Sequence, residues 1–162
     1  MNEINDVLRK QLLWLLRGGN AHMPLDEAVA HFPVEAMNRM PPNVSYSPWH
    51  LLEHIRRTQK DILEFICDPA YVSPPWPEGY WPGKDEQADE ARWHQTIAQF
   101  QADMKQLIEL VENPRTDLTA DLPHAPGYTV LREILTVSDH NAYHIGEFAI
   151  LRQVMGTWPA DR

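Results

Sequence analysis

Apolar positions recur along most of the chain with a helical period of three and four. In the first segment, about Ile4 to Arg17, the apolar stripe is Ile4, Val7, Leu8, Leu12 and Leu15, and Gly18-Gly19 stops it. A second helix is expected to start at Ser47, a good N-cap, with Pro48 at its first position. Its stripe runs through Leu51, Ile55, Ile62 and Ile66 and ends before Pro69. The third segment carries Trp93, Ile97, Phe100, Met104, Leu107 and Val111, closed by Asn113-Pro114. The fourth spans about Thr129 to Met155, with the seam Val130, Ile134, Val137, Asn141, His144, Phe148, Leu151 and Met155, and Gly156 as its stop. No stretch alternates with period two for long enough to read as a strand.

Four amphipathic segments of similar length predict an all-α protein, a four-helix bundle with long crossover connections. Roughly thirty residues separate the first two helices and about twenty the next two, lengths that mark function or a crossover. The first connection is expected to hold a short helix over Pro24 to His31. The second, Pro69 to Pro82, interleaves prolines with Tyr71, Trp76, Tyr80 and Trp81. It can run the length of the bundle, either as a strap packed by its aromatics or as the wall of a pocket.

At 162 residues the chain is read as a single domain, 1–162, with 43% hydrophobic and 23% charged residues. A formal charge of −9 and the lack of any basic run argue against nucleic acid as a partner. No apolar run approaches the ~18 residues of a membrane span. The polar stretch Met1 to Asp6 does not read as a secretory signal. The lone cysteine, Cys67, rules out internal disulfides, fits a cytoplasmic location and is expected to fill a small space in the core.

The candidate chemistry lies in histidines. His140 and His144 are four residues apart on the fourth helix, so they share one face. Both are expected to point inward, where a neutral histidine must satisfy two ring nitrogens. A metal ion would satisfy them, with a third ligand from another helix. The second helix offers His50 and His54, with His54 at the edge of the apolar stripe and His50 expected to be exposed. His50 to His54 also match H-x-x-E-H, in which Glu53 would be the base of an inverted zinc-protease motif, but the pattern is short and a protease is disfavoured, since that chemistry sits in a much larger α/β domain with a further acidic ligand. A di-iron carboxylate bundle is disfavoured, because no glutamate has a histidine three residues later. His22, His31, His94 and His124 are isolated and read as structural or solvated.

The stretch His140-Asn141-Ala142-Tyr143-His144-Ile145-Gly146-Glu147, with Leu151-Arg152 and Gly156-Thr157-Trp158-Pro159 after it, resembles the signature of the DinB/YfiT-like superfamily. So does Ser47-Pro48-Trp49-His50-Leu51-Leu52-Glu53-His54-Ile55 on the second helix, in the matching order. The resemblance covers most of the chain. It implies a bundle with an unusual connection order, a homodimer, and a divalent metal ion held by His54, His140 and His144. It also implies a metal-dependent enzyme acting on a small molecule, such as thiol S-transfer with a low-molecular-weight thiol. The alternative is a non-catalytic metal-containing binding or stress-response module. Zinc, nickel, iron and copper all suit imidazole. Glu147 departs from the family pattern, which has glutamine there, and is expected to be solvated. Asp61, Glu53 and Asp139 are the candidates for a general acid or base.

Overall fold

The computed structural model describes residues 3–160. Its elements are α1 (Glu3–Arg17), α2 (Leu25–Val29), a 3-10 turn (Val34–Ala36), α3 (Pro48–Cys67), α4 (Glu90–Glu112), a hairpin of β1 (Asp121–Leu122) and β2 (Ala125–Thr129), and α5 (Val130–Met155). The four long helices are the predicted ones, and the short helix lies within the span expected for it.

The helix ends follow from local chemistry. Ser47 Oγ accepts from the His50 backbone N–H, while the Ser47 N–H donates to His50 Nδ1, so a histidine serves as the reciprocal partner of the cap. Asp89 and Thr129 cap α4 and α5 in the same way, accepting from the Arg92 and Arg132 amides. At the other end of α5, Gly156 takes φ 64°, a left-handed conformation that suits glycine.

α3 and α4 run parallel. Going along both helices, the Arg92 guanidinium lies over the Trp49 ring, Thr96 meets Glu53, the Phe100 carbonyl meets Gln59, and Asp103 meets Lys60. Two consecutive helices can be parallel only if the chain between them returns along the bundle, which residues 68–89 do. α5 runs antiparallel to α3: His54 meets His144, and Gln59 further on meets Asn141 further back. α1 packs on α4 and α5.

The core has two apolar clusters. One gathers Phe32, Trp49, Ile55, Trp93, Phe148 and Leu151; the other gathers Leu12, Ile62, Leu107, Val111, Ile134 and Val137. Between Ile55 and Ile62 sits Gln59, fully buried, bonded to the equally enclosed Asn141 at 2.9 Å.

Two features depart from the sequence reading. The β1–β2 hairpin was not expected. Its pairing is only Asp121 with Thr129 and Leu122 with Ala125, too short to show a period, and burial of Leu122 helps anchor it. Cys67 is exposed, because Ile62, Leu63 and Ile66 take the core-facing positions of the last turns of α3. Among the described residues no helix is long and apolar enough to cross a membrane. Met1 and Asn2, part of the N-terminal stretch considered above, lie outside the described residues.

Arg152 closes the structure. It is fully buried, and its guanidinium donates to the carbonyls of Ala28 at 2.7 Å, Ala30 at 2.8 Å and Thr157 at 2.7 Å, beneath the Trp158 ring. One side chain thus joins α5 to the end of α2 and to the C-terminal segment. Arg152→Met keeps much of the volume but strands these carbonyls. It should lower the unfolding free energy by about 3 kcal/mol in urea denaturation, and a loss below about 1 kcal/mol would show that the clasp is dispensable.

Candidate metal centre

α3 and α5 bring His54, His140 and His144 together. The His54 Nε2 lies 3.2 Å from the Nε2 of His140 and 3.2 Å from that of His144. One ring nitrogen from each of the three lies within 4.8 Å of the others. His54 is buried, and His140 and His144 are half-buried, so the solvent side of the cluster is the α5 side.

The opposite nitrogen of every ring is held by an oxygen. His54 Nδ1 is 3.0 Å from the Tyr80 carbonyl, which can only accept, so that nitrogen carries the proton. His144 Nδ1 is 2.6 Å from Glu147 Oε2, which fixes the same tautomer. His140 Nδ1 lies 3.5 Å from Asn141 Oδ1. The orientation of that amide is set from further away. The Phe100 carbonyl accepts from Gln59 Nε2 at 2.7 Å, leaving Gln59 Oε1 to accept from Asn141 Nδ2 at 2.9 Å and Asn141 Oδ1 to face His140.

Where the Nδ1 atoms carry the protons, the Nε2 atoms present lone pairs to one another and no proton to share. Such a cluster is repulsive unless a cation lies among them. A proton on His54 or His140 is disfavoured. Burial pushes the pKa of His54 and of His140 down to about 4, and neighbouring imidazoles add to the effect. Three imidazoles whose Nε2 atoms converge, with an oxygen facing each Nδ1, are a donor set that could hold a divalent transition-metal ion.

The wall is the strap between α3 and α4. Trp81 stacks on His54, with centroids 3.9 Å apart and planes 7° from parallel. Tyr80 supplies the carbonyl to His54, and its hydroxyl donates to Asp61 Oδ2 at 2.9 Å. Arg57 holds the strap by donating to the Trp81 carbonyl at 2.8 Å. The prolines and aromatics of the strap therefore both pack the bundle and shape the site. Tyr46 reaches in from the first connection, its ring 5.3 Å from Trp81 and its hydroxyl donating to Glu147.

Three expectations need correction. His50 is buried, not exposed: its Nδ1 accepts from Ser47, and its Nε2 meets the Glu86 carbonyl at 2.8 Å. Both nitrogens are committed, so His50 ties the start of α3 to the strap and stands apart from the cluster. Glu53 cannot complete a protease motif. Burial works to raise its pKa, but hydrogen bonds from Arg56 and Arg57 outweigh burial and hold it low and ionised. Glu147 is not solvated; it accepts from both His144 and Tyr46. Its position three residues after His144 was the sequence signal for this, since i and i+3 share a helix face. Nothing local in the sequence pointed to Tyr46 or Gln59, whereas Trp81 was among the strap aromatics read as packing or as a pocket wall. Among the isolated histidines, His94 is exposed, while His124 Nε2 lies 2.8 Å from the Phe65 carbonyl.

The DinB superfamily profile matches residues 20–148, which include all three histidines, the strap and Glu147. No curated protein gave a match, and neither did any solved structure.

The low histidine pKa values have a consequence for the metal-free protein. Unfolded, both rings titrate near ~6.5; folded, they titrate near 4. Between those values the unfolded chain binds protons that the folded chain refuses. Stability should fall as the pH drops from ~6.5 towards ~4 and should lose this dependence below. Urea midpoints of metal-free protein across that range check it, and His54→Gln/His140→Asn protein should show a shallower slope.

Proposed function

The chain belongs to the DinB superfamily, and on that footing we propose that it is a metal-dependent enzyme acting on a small molecule, with thiol S-transfer as its reaction. His54, His140 and His144 would hold one divalent ion through their Nε2 atoms. The observation that carries this reading is the convergence of the three Nε2 atoms, with an oxygen facing each Nδ1.

A divalent ion on three neutral imidazoles keeps a position open and lowers the pKa of a thiol or water placed there. The residues around it bear on which of the two it serves. Hydrolysis calls for a base beside the water. Glu53 is locked between Arg56 and Arg57, Asp61 accepts from Tyr80, Glu147 accepts from His144 and Tyr46, and Asp139 is exposed without a bond to any of the three histidines. A free thiol already has a pKa of about 8.5, so a thiol gives its proton to solvent without such a base. In the transfer, the sulfur forms a bond to an electrophilic carbon, the thiol proton leaves to solvent, and the leaving group departs with its bonding pair.

The chain's part is orientation and exclusion of water. Glu147 and Asn141 hold the α5 rings, and Trp81 covers the face of His54. Tyr143, 70% exposed and edge-on to His144 at 4.8 Å, flanks the approach from solvent. That Glu147 alone of these carboxylates bonds to one of the three histidines, and on its Nδ1 side, also favours a second reading, a protein that holds metal and a small ligand without turnover.

Purified protein should carry about one divalent ion per chain by elemental analysis, as expected of a closed set of three ligands. His144→Ala should abolish that content and His50→Ala should retain it. Loss in His50→Ala equal to that in His54→Ala, with none in His144→Ala, would overturn the site. Conjugation of low-molecular-weight thiols to electrophiles should run faster with metal-loaded than with metal-free protein. Equal rates across several thiols, with the ion bound, would leave the non-catalytic reading.

A further inference from the structure

One cavity lies away from the histidines. It has a volume of about 430 Å³ and lies between α1, α4 and α5, on a face of α5 next to the one that carries His140 and His144. Its walls are apolar: Leu16, Leu25, Phe100, Met104, Ile108 and Ile145. Interiors of folded proteins pack to crystal-like density, and lining atoms that face a gap lose their dispersion contacts. A space of this size is within the ~300–1,000 Å³ range of small-molecule pockets.

The polar groups of the cavity are unevenly distributed. At its inner end, Ser138 donates its hydroxyl to the Ile134 carbonyl at 2.8 Å, and the Asn141 amide donates to Gln59. The Ser138 donor and one of the two Asn141 amide hydrogens are committed within the protein, and the rest of this end is lined by apolar side chains. The mouth differs. Arg17 and Lys105 stand there, both exposed. Their partners are Glu112 at 2.8 Å and Glu109 at 3.7 Å, also exposed. Such surface pairs are worth little, so either cation can turn to another anion. Asp26, the acidic group at the mouth, accepts from the Gln101 amide at 2.8 Å. His22, also at the mouth, has its Nδ1 against the Met23 carbonyl at 2.8 Å. Two cations at the opening of an apolar cavity contrast with the chain's net charge of −9.

We propose that this cavity is a binding site for a small amphipathic monoanion, an alkyl carboxylate whose chain fills the apolar interior and whose carboxylate meets Arg17 and Lys105 at the mouth. The site stands independently of the metal reading. It uses neither the histidines nor a metal ion, and it is tested on metal-free protein.

The test is calorimetric titration with decanoate below its micelle concentration, with decan-1-ol and acetate as the chain-only and head-only probes. Decanoate should bind saturably at one per chain, decanol more weakly, and acetate not at all. Arg17→Ala/Lys105→Ala changes two exposed residues and should not disturb folding. It should weaken decanoate roughly tenfold, the combined worth of two exposed ion pairs, and leave decanol unchanged. In spectra of protein with labelled methionine methyls, decanoate should shift Met104 and leave Met37 in place. The proposal is overturned if decanoate shows no saturable binding, if decanol binds as tightly, if the double variant keeps full affinity, or if the shifts miss Met104.

Discussion

A buried imidazole needs a partner for each of its two ring nitrogens, and four histidines on α3 and α5 impose that need on everything around them. His50 meets it with the Ser47 amide and the Glu86 carbonyl. His54, His140 and His144 meet it on the Nδ1 side with a strap carbonyl, a side-chain amide and a carboxylate. The Nε2 side of those three is left to a common point. Much of the unusual architecture answers this requirement. The strap supplies two of the carbonyls, and its course along the bundle is also what allows α3 and α4 to lie parallel.

The outer partners are themselves held. Asn141 is oriented by Gln59 and, through it, by the backbone of α4 at Phe100. Glu147 is gripped by Tyr46, and Tyr46 packs on Trp81, which covers His54. The α5 histidines are therefore positioned from α3, α4 and the first connection, and a change at any of these is felt at the cluster. Buried amides such as Gln59 and Asn141 stabilise only when fully paired. Their pairing here has the further effect of setting a tautomer.

The charged groups near the site show why a short motif misleads. His50 to His54 read literally as H-x-x-E-H, yet the pattern carries no information on what else competes for its members. Arg56 and Arg57, three and four residues after Glu53, lie on the same helix face and claim its carboxylate. His50 lies in the first turn of α3, where backbone amides lack helical partners, and its ring is drawn into the cap. The i,i+4 pair on α5 kept its meaning because its neighbours within a turn, Asn141 and Glu147, meet the Nδ1 atoms and leave both Nε2 atoms facing His54.

By itself the sequence determined the four helices, because a burial stripe of period 3.6 and cap residues such as Ser47 and Gly156 act within a few residues of one another. It also determined that His140 and His144 share a face, which is a property of helix geometry alone. That His50 turns into the cap and the strap, that Tyr46 reaches Glu147, that Gln59 orients Asn141, and that the Tyr80 carbonyl and the Trp81 ring meet His54 were decided by tertiary structure. Those outcomes depend on which nitrogen meets which oxygen across segments tens of residues apart, and no local period in a sequence records such a pairing. The cavity beside α1 belongs to the same class, since it exists only where three helices fail to close on one another.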